Sequence, residues 1–176
     1  MSHTPRARAA RRARLPIGVF PSLLLIIVTA TGTHASGFED TTWNLMGSAT
    51  ARIGNVSQTA PVNATLSLMS DRNYAIVDDD PSTPDETGVW FENRGRLLLF
   101  TQNILEQILA LESALGVATG DTVRLSILKG SGKASLNGST GMLTLMSSNQ
   151  MSVFLQNANL TLGLSVRSTL TGALAP

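Results

Sequence analysis

Leu160, Leu162, Leu164 and Val166 alternate with Thr161, Gly163, Ser165 and Arg167. A period of two sends one set to each face of an extended chain, so this stretch is coded as a half-buried β-strand. The same alternation recurs at Val62, Ala64, Leu66 and Leu68, at Val123, Leu125 and Ile127, and at Met151, Val153 and Leu155. Further strand candidates are Thr42–Ile53, Tyr74–Asp78, Gly88–Glu92, Arg96–Phe100, Lys133–Leu136 and Met142–Met146. Asn93-Arg94-Gly95, Gly130-Ser131-Gly132 and Asn137-Gly138 read as tight turns, because glycine and asparagine accept the backbone angles that such turns need. Eight to ten short strands with short connections predict a mainly β fold. The expected form is an antiparallel meander that closes into a barrel or a strongly curved sheet.

One segment breaks the period. Ile104, Leu105, Ile108, Leu111 and Leu115 fall at helical spacing, with Glu106, Gln107 and Glu112 between them. Asn103 is placed to cap the start and Gly116 to end it, so one amphipathic helix is expected over residues 103–115.

The N-terminus has its own pattern. Arg6, Arg8, Arg11, Arg12 and Arg14 precede an apolar run from Leu15 to Thr31, and Thr33-His34-Ala35 offers small residues at the two positions a signal peptidase reads. This order predicts a secretory signal peptide over residues 1–35, cleaved after Ala35, and a single β-rich domain over 36–176. The expected location is therefore exported, periplasmic or extracellular. The alternative is an uncleaved membrane anchor, but Pro16 and Pro21 interrupt the apolar run and no basic stop-transfer cluster follows. Five of the thirteen Lys/Arg leave with the leader, so eight face twelve Asp/Glu in the exported domain. The basic balance of the precursor thus belongs to its leader and implies no nucleic-acid partner.

After Ala35 the chain has neither histidine nor cysteine. The side chain that titrates near neutrality, the thiolate nucleophile and the commonest zinc ligands are all missing. No disulfide can form, so burial alone must hold the domain together.

Phe38 to Trp43, Tyr74-Ala75-Ile76, Glu86-Thr87-Gly88-Val89-Trp90 and Arg94-Gly95-Arg96-Leu97-Leu98-Leu99 follow one another in that order. This arrangement resembles bacterial exported proteins with lipocalin-like (calycin-like) β-barrels. The resemblance covers roughly residues 38–100. It implies a barrel, and it carries no catalytic or binding residue over to this chain.

A barrel of about eight strands can enclose one small apolar ligand. Trp90, Phe91 and Tyr74 are the candidate ligand-binding residues, and strand alternation places Trp90 and Phe91 on opposite faces. Asp78, Asp80 and Asp85 are the best metal candidates within the acidic stretch from Asp78 to Glu86, whose bland reading is a solvated hairpin loop. Glu86 and Glu92 form the visible carboxylate pair for a hydrolase. Lys129 and Lys133 flank Ser131 but read as ordinary turn residues. The function expected is a non-enzymatic, exported binding or envelope-associated module without a cofactor, possible partners being a small hydrophobic ligand or an envelope protein. The alternatives are a structural or protein-interaction domain, an outer-membrane barrel and a carboxylate-based hydrolase.

Overall fold

A computed structural model describes residues 38–81, 83–93 and 96–176. The leader, with His3 and His34, lies outside the described residues, as does the tip of the Asn93-Arg94-Gly95 turn. The elements are β1 (Thr41–Ile53), β2 (Val56–Leu68), β3 (Asn73–Asp78), β4 (Glu86–Asn93), β5 (Arg96–Thr101), α1 (Ile104–Thr119), β6 (Val123–Asn137), β7 (Met142–Leu155) and β8 (Leu160–Leu174). All pairings are antiparallel, in the order β5-β4-β3-β2-β1-β8-β7-β6. The sheet curls into a nearly closed barrel, consistent with a lipocalin-like one. The first and last strands pair in the middle of the sheet. The seam falls between β5 and β6, which α1 connects.

The alternating pattern sets which side chains enter the barrel. In β8, Leu164, Val166, Ser168 and Leu170 are buried while Arg167 and Thr169 are exposed. Leu160, the first residue of the pattern, lies at the strand end and is exposed.

Three local expectations are corrected. Gly130-Ser131-Gly132 is not a turn but the middle of β6, where it pairs with Asn149, Ser148 and Ser147 of β7. Both neighbours flank it without a break, so Val123–Ile127 and Lys133–Leu136 are one strand, and Met142–Met146 and Met151–Leu155 are another. Bending in β6 is taken up by a bulge between Ile127 and Lys129, which re-aims one residue without ending the strand. The helix runs past Gly116 to Thr119 and stops at Gly120, whose φ of 69° is left-handed. The Gly120 N–H donates to Gly116 O at 2.8 Å. A glycine inside a helix costs only about 1 kcal/mol, whereas the stop needs a residue tolerant of positive φ.

The core divides into two clusters. One gathers Trp43, Leu45, Leu66, Tyr74, Trp90, Leu97, Leu99 and Leu143. The other gathers Leu111 and Leu115 of α1 with Val123, Met151, Val153, Leu164 and Val166. A row of small inward residues crosses five strands where the two meet: Ala60, Ala49, Ser168, Ser147 and Gly132. The two serine hydroxyls in that row hydrogen-bond to each other at 2.7 Å, which satisfies both in the interior.

Candidate functional site

Tyr74, Gly88 and Thr101 are register partners across β3, β4 and β5. All three face inward. A Cβ on Gly88 would lie 2.7 Å from Tyr74 Cε1 and would also strike the Phe100 carbonyl. Glycine at this position therefore lets the tyrosine ring lie across β4 and reach Glu86. The Tyr74 hydroxyl donates to Glu86 Oε1 at 2.8 Å, and the Thr101 hydroxyl donates to the same oxygen at 2.9 Å. The two hydroxyl oxygens lie 3.0 Å apart. Tyr74 is 1% exposed and Glu86 0%.

Burial pushes the Tyr74 phenol above its ordinary value, and the Glu86 charge adds to that. The group is thus a fixed hydrogen-bond donor at neutral pH and cannot serve as a base. What this cluster does is tie three strands together around a buried carboxylate.

The start of α1 holds the same corner from outside. Asn103 makes no side-chain cap to the helix. Its Oδ1 instead accepts the Thr87 N–H at 3.1 Å, and its Nδ2 donates to Asp85 O at 2.7 Å. Buried Gln107 donates to Pro84 O at 3.1 Å and Asp85 O at 2.9 Å. Asp85 therefore contributes its carbonyl, while its side chain is exposed. Asp78 Oδ1 accepts the Asp80 N–H at 2.8 Å, closing a local turn. Burial raises the Asp78 carboxyl above its usual range. Among the described residues, no group of three or more His, Cys, Asp or Glu side chains is assembled that could hold a metal ion.

Trp90 lies six residues along the chain from Pro84 and bonds to the connection between β2 and β3. Its Nε1 donates to Met69 O at 2.9 Å, and its backbone N–H donates to Arg72 O at 2.8 Å. The Arg72 guanidinium sits 4.5 Å from the indole centroid and pairs with Glu39 at 2.8 Å. Trp90 is fully buried in the larger core cluster, with the Arg72 guanidinium in a cation–π contact with its ring.

Phe91 points the other way, as alternation requires. It meets Phe100 edge-on, with ring centroids 5.7 Å apart and planes at 77°. The two rings are 48% and 42% exposed. Their cross-strand partners are Leu98 and Val89, both half-buried, so four apolar side chains share the outer face of the edge hairpin. The structure thus separates the three ligand-binding candidates: Tyr74 and Trp90 are inside and Phe91 is outside.

Glu86 and Glu92 both lie on β4 with the same parity. Six residues of extended chain span about 20 Å, well beyond the roughly 5–9.5 Å at which two carboxylates flank a glycosidic bond. Thr101, Gln107 and Phe100 were not singled out from the sequence. Thr101 shares parity with Leu97 and Leu99 in β5, which is the signal that marks it as inward. Among the described residues no helix is long and apolar enough to cross a membrane. No family model matches the chain, and no curated protein matches it.

Proposed function

We propose that the protein is a non-enzymatic, exported binding module whose apolar contact is the outer face of β4 and β5 beside the seam. The observation that carries this reading is the Phe91–Phe100 pair, two aromatic rings left open to water on an edge hairpin. Exposed apolar groups gathered in one place gain free energy when a ligand covers them. Tyr74 and Trp90 are already satisfied by the fold and offer a ligand nothing. The absence of histidine and cysteine after Ala35, a phenol held neutral, and the separation of Glu86 from Glu92 all support a binding role over an enzymatic one. The basic-then-apolar order of residues 1–35 supports export.

The test uses a neutral fluorescent probe, N-phenyl-1-naphthylamine, titrated into the purified protein. Fluorescence should rise saturably and fall at least fivefold in the Phe91→Ser/Phe100→Ser variant, with far-UV circular dichroism unchanged. Undiminished binding in that variant would move the ligand elsewhere and sink the assignment.

A second reading, protein interaction, is favoured by α1. Leu105, Leu109 and Val117 are all more than half exposed on it. Sedimentation of the protein alone and of a Leu105→Lys/Leu109→Lys variant distinguishes it: association lost in the variant supports this reading.

A further inference from the structure

All twelve acidic residues lie between Glu39 and Asp121, and none follows. The strand order turns this sequence asymmetry into a spatial one. Strands β2, β1, β8, β7 and β6 are consecutive neighbours, and not one carries a carboxylate. The acids sit on β3, β4, α1 and the connections.

Arg52, Arg167, Lys129 and Lys133 project from the outer face of this wall, all exposed. Register places them in three adjacent rows. Arg52 is opposite Ser165, Ser165 opposite Gln150, and Gln150 opposite Lys129. Arg167 lies one row on, between Thr50 and Ser148, and Lys133 one row further, opposite Met146. Strand and residue spacings set these four backbone positions about 8–14 Å from their neighbours. Among the described residues, none of the four is ion-paired; Arg124, at the end of β6, is the cation of this wall that pairs, with Glu112. Two shallow grooves cross the wall. One of about 440 Å³ is lined by Arg52, Gln150 and Ser165 among others, and one of about 300 Å³ by Lys133, Arg167 and Ser148.

We infer that the outer wall of β1, β8, β7 and β6 is a docking surface for an acidic polysaccharide, a glycan bearing sulfate or carboxylate groups. Charge complementarity favours a repeating anion, because four spaced cations with no local carboxylate cannot be satisfied by one small ion. The groups between the cations include serine, threonine and glutamine, which donate to and accept from sugar hydroxyls, with Met146 and Leu128 exposed beside them as apolar ground for the faces of sugar rings. The four cations have no aromatic side chain among them, and single-stranded nucleic acids need such rings for base stacking. This surface is separate from the Phe91–Phe100 face.

The test measures binding of dextran sulfate to the purified protein, with neutral dextran and oligo-dT as comparisons. Dextran sulfate should bind, neutral dextran should not, and oligo-dT should bind at least tenfold more weakly at equal salt. Affinity for dextran sulfate should fall about tenfold or more between 50 and 200 mM salt, as expected when several charges release counterions. The Arg52→Ser/Lys129→Ser/Lys133→Ser/Arg167→Ser variant should lose at least tenfold in affinity while keeping its circular dichroism and melting temperature. Arginines 6–14 are unchanged in that variant, so binding that survives it belongs elsewhere and overturns the proposal. Oligo-dT binding as tight as dextran sulfate would overturn the glycan assignment. Should the fourfold variant misfold, Arg167→Ser and Lys133→Ser singly must each weaken binding at least twofold, and no change in both overturns it.

Discussion

The Tyr74 hydroxyl donates to Glu86 Oε1 at 2.8 Å across β3 and β4, with both side chains sealed from water. Removing the hydroxyl leaves the buried carboxylate with one donor fewer. Tyr74→Phe should cost about 1–3 kcal/mol of stability, because a buried polar group loses a partner while its desolvation remains. Urea unfolding at pH 7 measures this, and an unchanged midpoint would show the bond to be dispensable.

Tyr74 is the single tyrosine of the chain. Its phenol is raised above the ordinary value of 10.0 in the fold, by burial first and the Glu86 charge second. A raised value means the unfolded chain ionises before the folded one. The contribution to stability is therefore full below pH 10 and lost as pH rises above it, by about 1.4 kcal/mol per pH unit. The difference in stability between the native protein and Tyr74→Phe should shrink accordingly above pH 10. Absorbance of the phenolate should also appear together with unfolding; ionisation of the folded protein near pH 10 would refute the sealed environment.

Gly88→Ala should destabilise the protein by about 1–3 kcal/mol, the range for forcing extra volume into a packed interior. The added carbon meets the Tyr74 ring and the Phe100 carbonyl, and the backbone contact has no soft direction of escape. Thermal unfolding measures the loss. A neutral substitution would mean that β4 and β5 can part locally.

Glu112 of α1 guards the open edge of β6. Its Oε1 accepts the Leu125 N–H at 2.7 Å, and its Oε2 pairs with Arg124 at 3.3 Å. Arg124 is largely exposed, so Arg124→Ala should change stability by less than about 0.5 kcal/mol. Glu112→Ala should cost about 1–2 kcal/mol, because an edge amide loses its acceptor. Hydrogen exchange at Leu125 should accelerate in Glu112→Ala and stay near the native rate in Arg124→Ala.

The leader reading has a direct check. Expressed in a secreting host, the protein should be recovered with Ser36 at its N-terminus. An intact mass that still includes residues 1–35 would leave the membrane-anchor alternative standing.

The β architecture was legible because burial acts on every strand through the same two-residue period. The β8 pattern from Leu164 to Val166 and the β2 pattern from Val62 to Leu68 each state their own inward face. Asn137 was also legible as a turn residue: its Oδ1 accepts the Ser139 N–H at 3.0 Å and the Ser139 hydroxyl at 2.7 Å. Gly130 and Gly132 misled, because glycine marks turns and equally occurs inside a strand close to a bulge, as here beside Ile127/Lys129. Asn103 misled as well. Its side chain is chemically fit for a helix cap, but Thr87 and Asp85 from a different element claim it.

The sequence by itself determined the mainly β class, the single helix and, where the alternation is clear, the side of a strand that meets water. These are local properties, set by side-chain parity and by which residues tolerate turn geometry. The tertiary structure alone decided that the sheet seam lies between β5 and β6, that Tyr74 and Glu86 share a proton donor–acceptor contact, and that cations from β1, β6 and β8 stand on one wall. Each of those depends on which strand lies beside which, and that is fixed by long-range packing that no window of the sequence contains.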